Sequence, residues 1–354
     1  LEVPTTMEEM AEVLRAFTFD DPDGNGEQDT WGLRPISRES NISVPVLDVF
    51  FIYAAYNAIG AWRITDGALE FTPATDGRRQ AVEYMRGLQE AGVLHPDWLG
   101  GGTDIGDPWK IGQVGVHNSD FCATFCPQGF GEFAAANPTG ELIAIDPPAG
   151  PDGFSGTGQF AVANSLYLMS ARAAEEGRGE AVAMFLEWLN TDGYLPTAYG
   201  IEGENWIRNE DGRIVAVDAD GNALVPAPFT LPEFQTEFQA RSLGYKGGDE
   251  EMRVRYENIV EHPNGQTVNP FAVLAENEGR AVNQTQFGLL PNPGEAGISG
   301  VDLGTYIATG ELDFIVGNRS MDEWDDYVEG MFDLDLQTWI DAATEAAIEL
   351  GIIE

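Results

Sequence analysis

The sequence predicts an α/β protein with two lobes. Segments with strand periodicity alternate with segments of helical periodicity, which favours helices layered on sheets. A length of 354 residues is enough for two lobes with separate cores, and 43% hydrophobic residues is typical of a globular chain. No internal repeat interrupts this alternation, and the least patterned region is 221–300.

The N-terminal elements follow from local signals. Thr6 and Glu9 form a capping box that begins a helix. The apolar stripe of this helix consists of Met7, Met10, Leu14 and Phe17. The next predicted elements are an apolar helix or buried segment at 47–60, a hairpin around Asp66-Gly67 and an amphipathic helix at 75–94.

The remaining elements are shorter strands and helices. Predicted strands lie at 110–121, 140–150 and 159–170, and a hairpin lies at 213–225. A helix at 179–190 carries the apolar stripe Ala181, Met184, Phe185 and Trp188, so Trp188 is predicted to be core, as is Trp62 in the first hairpin. The closing helices lie at 319–332, where Ser320 and Glu323 form a capping box, and at 336–350.

The charge of the chain excludes some partners. There are 59 acidic and 18 basic residues, and the formal net charge is −41. Such a field repels nucleic acid and anionic membrane surfaces, so we expect no nucleic-acid partner. The basic residues are nearly all arginines, since Lys110 and Lys246 are the lysines, and this acidic surface fits a protein kept soluble in high salt. The sequence contains no run of about 18 apolar residues, so it predicts no transmembrane helix.

The stretch "DPDGNGEQDTWGL" at 21–33 has the oxygen spacing of a calcium loop. The predicted ligands are Asp21, Asp23, Asn25, the backbone carbonyl of Glu27 and Asp29. Gly26 occupies the sharp turn, but Gly32 stands where an EF-hand has its closing glutamate. A calcium sensor needs that glutamate and a movable second helix. The sequence therefore predicts a structural calcium clip, and the alternative is an Asx-rich turn without metal.

Enzymatic motifs are weak in this sequence. The three histidines lie outside zinc-protease and nucleophile-elbow patterns, and the glycines near residue 101 lack the lysine of a P-loop. Aromatic and polar residues near turns fit sugar binding better, since ligand pockets combine apolar walls with a few placed polar groups. The candidate ligand residues are Asp120, Phe121, Gln159, Glu204, Asn205 and Trp206. For Trp206 a core role is the open alternative.

Four segments together resemble one family. They are the capped helix with its acidic loop at 3–33, the helix at 74–98, the loop "YGIEGENW" at 199–206 and the closing segment "FIVGNRSMDEWDDYVEG". In this order they resemble the extracellular solute-binding lipoproteins (family 1) of carbohydrate ABC transporters, in the subgroup of LipO-like and alginate-binding proteins. The likeness spans nearly the whole chain, although 221–300 adds little.

The resemblance implies a periplasmic-binding-protein-like fold of class II, with an oligosaccharide in the cleft between two lobes and no catalysis. It implies that 1–157 and 241–354 form the second lobe, and that 158–240 returns to a first lobe that is incomplete at its N-terminus. The family's signal peptide and lipid-anchored cysteine have no counterpart here, so the chain is expected to begin inside the protein.

The resemblance implies two partners outside the cytoplasm, an oligosaccharide ligand and the permease subunits of an ABC importer. It implies contact with the membrane only through a lipid anchor, which has no counterpart in this sequence. The calcium loop is structural in this family. Asp29 is followed by Thr30 where the family has glutamate, so either the affinity for calcium is lower or Asp20 substitutes for the missing carboxylate. Cations near the candidate loops are few (Lys110, Arg172, Arg208 and Lys246), and this favours a neutral oligosaccharide over a uronate. The alternative function is a secreted, calcium-dependent enzyme acting on polysaccharides, and a third is a calcium-dependent scaffold.

Overall fold

The structure is a computed structural model. It describes residues 1–36, 46–99, 108–118, 124, 127–159, 169–210, 212, 214–216, 218, 220–226, 260–261, 265, 267–268, 273 and 279–354. By its contacts the chain divides into two compact units. The first comprises Leu1–Val162, Glu261–Gln266 and Val273–Glu354, and the second comprises Ala163–Val260 and Thr267–Ala272. The lobe boundaries expected at 157 and 240 stay a prediction.

Helices and strands are mixed along the described chain, in keeping with the predicted α/β class. The helices are α1 (Met7–Phe19), α2 (Phe50–Ala55), α3 (Asp76–Glu90), α4 (Pro127–Ala136), α5 (Ala171–Glu175), α6 (Gly179–Leu189), α7 (Tyr194–Tyr199), α8 (Gly300–Val316), α9 (Trp324–Phe332) and α10 (Leu336–Glu349). Short 3₁₀ helices lie at Thr72–Ala74, Pro96–Trp98, Pro108–Ile111, Thr285–Leu289 and Met321–Glu323. Within the described residues, no helix is long and apolar enough to cross a membrane.

The strands are short and pair in twos. They are β1 (Trp31–Leu33), β2 (Trp62–Thr65), β3 (Ala68–Phe71), β4 (Val114–Val116), β5 (Thr157–Gln159), β6 (Ile207–Arg208), β7 (Ile214–Val215), β8 (Val260–Glu261), β9 (Thr267–Val268) and β10 (Ala281–Asn283). β1 pairs with β4 and β5 pairs with β10, both in parallel. β2 pairs with β3 and β6 pairs with β7, both antiparallel. β8 pairs with β9.

The predicted capping box and hairpin are both present. Thr6 Oγ1 accepts from the Glu9 amide at 3.2 Å, and the Glu9 carboxylate accepts from the Thr6 amide at 3.3 Å. Asp66 and Gly67 have φ values of 51° and 82°, the left-handed conformation that a tight two-residue hairpin requires. Both features depend on residues a few positions apart, so local sequence determines them.

Aromatic rings fill the core of the first unit. The ring centroid of Trp62 lies 4.9 Å from that of Trp339 and 5.4 Å from that of Phe71, in edge-to-face geometry. Trp62 is 3% exposed, so its predicted core role is confirmed. Where α3 contacts α8, the buried Arg78 of α3 forms an ion pair with the buried Glu311 of α8.

One predicted strand and the predicted burial of one helix face are wrong, although the helix itself is present as α6. Residues 140–148 form no regular strand, since consecutive prolines at 147 and 148 lack the amide donors that a ladder needs. The apolar stripe of α6 is exposed, and Trp188 is 45% exposed rather than buried. Its indole packs against Phe185 and the backbone of Gly193. Both belong to the same short stretch of chain, which leaves nearly half of the side chain uncovered.

Some predictions fall outside the described residues. The strand predicted at 159–170 begins as β5, but 160–168, with its expected unpaired edge, lies outside the described part of the chain. Lys246, one of the cations near the candidate loops, lies outside it too. The hairpin predicted at 213–225 is present as a turn in which the Leu224 amide donates to the Ala216 carbonyl at 2.9 Å.

Candidate ligand and metal sites

Three parallel segments of the first unit end at one edge. Leu33, the last residue of β1, pairs with Val116, the last residue of β4, and on its other side with Leu94. The His95 amide donates to the Leu33 carbonyl at 2.9 Å, which fixes this register. The residues that follow the three segments therefore lie side by side at their carboxyl ends. In open α/β sheets, ligands bind outside the carboxyl ends of the strands.

Gly32 lets helix α1 pack directly on this sheet. A Cβ atom at Gly32 would lie 2.5 Å from the Leu14 carbonyl oxygen and 2.6 Å from the Leu14 Cβ. The Gly32 amide donates to Val93 O at 3.0 Å, and also to the hydroxyl of the buried Thr18 at 2.9 Å. Because α1 and two strand neighbours hold β1 in place, the side chains at its carboxyl end project from a rigid element.

Arg34 is the first residue beyond β1, and the sequence analysis overlooked it. Its Nε and Nη2 atoms are buried, and within the described residues neither has a hydrogen-bond partner. The signal that could have found it is its position, since it directly follows a buried strand in "WGLR". An arginine at the carboxyl end of a central strand is placed for contact with a ligand.

Two histidines lie at the same edge. His95 is buried against Trp31, with ring centroids 4.7 Å apart, and its Nδ1 accepts from the Asp97 amide at 3.2 Å. Burial lowers the pKa of His95, the carboxylate of Asp97 opposes this, and the charge of Arg34 adds to it. The imidazole is therefore neutral at pH 7. His117, the first residue after β4, stacks on Trp109 at 4.9 Å.

The predicted ligand residues that precede the loop at 199–206 are described only in part. Asp120 and Phe121 continue the chain beyond β4 and lie outside the described residues. Gln159 ends β5 in register with Asn283 of β10, but its side chain is not among those described. Lys110, one of the predicted nearby cations, forms an ion pair with Glu132 at 2.6 Å.

Trp206 is buried in its loop. It is 4% exposed, and its indole N–H donates to the Gly200 carbonyl at 3.0 Å. The Gly203 amide donates to the Trp206 carbonyl at 2.7 Å, and Gly203 has a φ of 85°, which favours glycine. Stacking of Trp206 on a sugar requires this turn to open, and the role stays a prediction.

The two residues before Trp206 differ in what they contact. Glu204 is exposed. Asn205 accepts from the Ile201 amide at 2.8 Å and donates to the Val225 carbonyl at 2.9 Å, so its amide joins two parts of the loop. Of the predicted trio, Glu204 is the side chain with the greatest freedom to reach a ligand.

The acidic loop between α1 and β1 brings its oxygen atoms together. Asn25 Nδ2 lies 2.8 Å from Asp23 Oδ2 and 3.3 Å from both carboxylate oxygens of Asp29. Asp21 Oδ2 accepts from the amide of Gly26 at 3.1 Å, and Gly26 has a φ of 81°. The carboxylates of Asp23 and Asp29 thus face the side-chain amide of Asn25. The hydrogen atoms of this amide occupy the place where a cation would balance the two negative charges.

The fit of this loop to calcium is partial. Carboxylate and amide oxygens are the donors that calcium prefers. Gly32, at the closing position, lies in β1 and offers no side chain, and the Thr30 hydroxyl is engaged by the Phe17 carbonyl at 2.9 Å. Across the described residues, no group of three or more histidine, cysteine, aspartate or glutamate side chains is assembled at metal-binding distances. A bound ion would therefore have to draw the carboxylates closer and turn the amide of Asn25.

Comparison with known proteins identifies relatives of this chain, although no family model matches it. It is 24% identical to the polygalacturonan/rhamnogalacturonan-binding protein YtcQ of Bacillus subtilis over 280 residues, 74% of this chain and 51% of YtcQ. It is 33% identical over 102 residues to the fructooligosaccharide ABC transporter substrate-binding protein FusA of Streptococcus pneumoniae, 27% of this chain and 17% of FusA. It is 22% identical to lipoprotein LipO of Bacillus subtilis over 93% of this chain and 62% of LipO. The chain thus spans about half to two thirds of YtcQ and LipO.

Solved structures show the fold. An HMO-binding, ABC-transporter-associated solute-binding protein of Bifidobacterium longum infantis has a TM-score of 0.62 at 17% identity, covering 98% of this chain and 70% of its own. FusA in complex with kestose has a TM-score of 0.58 at 17% identity, covering 99% of this chain and 70% of its own. The alginate-binding protein AlgQ2 has a TM-score of 0.57 at 14% identity, covering 98% and 68%. The chain is therefore a homologue of the solute-binding proteins of carbohydrate ABC transporters, with the periplasmic-binding-protein-like α/β fold that its sequence predicted.

Proposed function

We propose that the protein binds an oligosaccharide outside the cytoplasm and delivers it to the permease subunits of an ABC importer. The observation that carries this proposal is the similarity to YtcQ along 74% of the chain, supported by the segment shared with FusA. Both relatives are binding proteins rather than enzymes, which argues against the polysaccharide-active alternative. Attachment to the membrane by a lipid anchor in the full-length protein rests on the similarity to lipoprotein LipO.

The proposed organisation follows the resemblance. Residues 1–157 and 241–354 would belong to one lobe, and 158–240 to the other. The proposed ligand-binding residues are Asp120, Phe121, Gln159, Glu204, Asn205 and Trp206. The edge formed after β1 and β4 supports the first two, because both continue the chain from the carboxyl end of β4.

Calorimetric titration of the full-length protein tests this function. The ligands are trigalacturonate, kestose and neutral galactotriose, and each mixture is then incubated and analysed by chromatography. We expect micromolar or tighter binding of at least one sugar, with that sugar recovered intact. Cleavage of the sugar would favour the enzyme, and the absence of binding to all oligosaccharides would contradict the proposal.

We also propose a structural calcium ion in the loop of Asp21, Asp23, Asn25, the Glu27 carbonyl and Asp29. The convergence of Asp23 and Asp29 on the amide of Asn25 supports it. A structure of a FusA EF-hand mutant is among the solved neighbours, at a TM-score of 0.57 and 17% identity. The missing closing glutamate and the buried position of Gly32 favour a fixed clip over a switch.

Thermal melts in calcium, in magnesium and in chelator test the ion. A ligand at a hundredfold excess over its dissociation constant stabilises the folded state by about 2.7 kcal/mol. Calcium should therefore raise the melting temperature, whereas magnesium, which requires a tighter octahedron, should not. Asp23→Asn should abolish the response. Asp218→Asn is the matched control, because Asp218 sits in a similar acidic turn where it accepts from the amides of Asp220 and Asn222. Equal melts in calcium and chelator would refute the site.

A further inference from the structure

The unpaired guanidinium of Arg34 indicates what kind of ligand the edge after β1 receives. Its Nε and Nη2 atoms are buried, and in the described part of the chain they donate to no acceptor. A buried donor without a partner is destabilising, and the penalty is larger when the group is charged. Such a group persists where something outside the chain completes it.

The composition of the protein sharpens this point. Acidic residues outnumber basic ones by 59 to 18, so carboxylate partners are plentiful. Arginines elsewhere in the first unit take them: Arg63 pairs with Glu70 and Arg86 pairs with Glu90, each at 2.7 Å. The buried Arg78 donates to Glu311 through Nε and Nη2 and to the Ala58 carbonyl through Nη1. The unpaired donors of Arg34 are therefore a property of its position, and not of a shortage of acids.

That position is the carboxyl edge of the three parallel segments. Arg34 lies beside His95 and His117 in the register set by Leu33, Leu94 and Val116. Arg34 carries a permanent positive charge at this edge, whereas burial lowers the pKa of His95 and so disfavours its charged form. A guanidinium offers two parallel N–H donors in a planar fork, which matches the two oxygens of a carboxylate.

We propose that Arg34 binds the carboxylate of an acidic sugar, so that the ligand is an oligosaccharide containing uronate. The proposal rests on the proposed function, and it replaces the neutral ligand that the sequence favoured. The sequence argument counted cations near the predicted loops and did not include Arg34, whose side chain becomes relevant only when the parallel segments are assembled.

The test uses two sugars that differ at a single group. Trigalacturonate and α-1,4-linked galactotriose have the same rings and linkages, but carbon 6 carries a carboxylate in one and a hydroxymethyl group in the other. Titration of the full-length protein compares wild type with Arg34→Met and Arg34→Lys. Arg15→Met is the control for net charge, since Arg15 is 57% exposed and pairs loosely with Glu12 at 3.8 Å.

We expect wild type to bind trigalacturonate at least about tenfold more tightly than galactotriose, because a hydrogen bond to a charged group is stronger than one to a neutral group. Arg34→Met should weaken trigalacturonate binding about tenfold to a hundredfold and change galactotriose binding less than about twofold. Arg34→Lys should lie between wild type and Arg34→Met, since it keeps the charge but loses the fork. Arg15→Met should bind both sugars as wild type does.

The melting temperature of the ligand-free protein is an independent measurement. Removal of two buried donors that lack acceptors, on a side chain that is itself half-buried, should leave the melting temperature of Arg34→Met equal to or above that of wild type. A clear decrease would show that Arg34 has a partner within the protein, which overturns the inference.

The remaining outcomes separate the two proposals. Equal binding of both sugars by wild type, equal weakening of both by Arg34→Met, or binding of kestose alone overturns the acidic ligand and leaves sugar binding standing. If wild type binds none of the three sugars, the proposed function fails and the acidic ligand fails with it.

Discussion

Removal of Glu311 should destabilise the first unit more than any surface ion pair would. Glu311 accepts from Arg78 Nε at 2.7 Å and from Nη2 at 2.8 Å, and the two side chains are 0% and 1% exposed. The guanidinium carbon of Arg78 lies 3.9 Å from the ring centroid of Tyr53, and Nη1 donates to the Ala58 carbonyl at 3.2 Å. Glu311→Ala leaves this buried cation without its counter-charge.

The expected loss is large because the charge cannot reach water. Removing one partner of a buried pair commonly costs about 3–5 kcal/mol of unfolding free energy. Burial disfavours the charged form of Arg78, and the charge and hydrogen bonds of Glu311, which raise the pKa of Arg78, offset this cost in the wild type. The variant loses that compensation, and a guanidinium cannot relieve the cost by deprotonation because it is too basic to lose its proton in a protein. At about 2–4 °C per kcal/mol for a domain of 150–250 residues, the melting temperature should fall by about 6–20 °C.

Urea unfolding monitored by tryptophan fluorescence measures this loss. Glu83→Ala is the control, since Glu83 lies on α3, the helix of Arg78, and pairs with Arg79 at 3.2 Å on the surface. It should cost about 0.3–0.5 kcal/mol. The double variant Arg78→Met/Glu311→Leu should recover most of the stability, because apolar replacements remove both buried charges together. A loss under about 1 kcal/mol in Glu311→Ala, or a double variant weaker than the single one, would refute the reasoning.

Three further predictions concern single residues. Gly32→Ala should cost about 1–3 kcal/mol in urea unfolding, because its Cβ would collide with Leu14; an unchanged midpoint would show that α1 can shift. The pKa of His95 is lowered from 6.5, so its contribution to stability is complete above about pH 6.5 and is lost as the pH falls through the lower, folded-state value. His95→Gln should therefore lose less stability than wild type between about pH 8 and pH 5, whereas parallel pH curves would contradict this. Trp206→Ala should weaken oligosaccharide binding about thirtyfold; a loss of about 3–5 kcal/mol in folding stability at unchanged affinity would assign the indole to packing alone.

Features that depend on near neighbours could be predicted from the sequence. The capping box of Thr6 and Glu9 and the turn at Asp66-Gly67 each involve residues no more than three positions apart, and both are present. The relationship to sugar-binding proteins of ABC transporters and the fold could also be predicted, because four separate segments resemble that family and occur in the same order along the chain. The acidic loop was predicted to gather its side chains, and Asp23 and Asp29 do converge on Asn25.

Features that depend on distant neighbours could not be predicted. Leu33 meets Leu94 and Val116 through pairings 61 and 83 positions along the chain, and these alone place Arg34 beside His95. Trp188 was predicted to be buried and is exposed. Helical periodicity identified the apolar face of its helix, but periodicity does not reveal whether another element covers that face. Burial and charge pairing are properties of the assembled unit, which explains why the Arg34 site appeared only in the structure.

The distance along the chain between Arg78 and Glu311 also sets the order in which the protein can mature. They are 233 residues apart, and ribosomes add roughly 5–20 residues per second. After Arg78 is made, roughly ten to fifty seconds pass before its counter-charge exists. During that interval, burial of helix α3 would leave the guanidinium of Arg78 without a counter-charge. The core of the first unit should therefore form only after α8 has been synthesised. We expect nascent chains stopped before residue 300 to be cut readily by proteases near α3, and chains released after α10 to resist them.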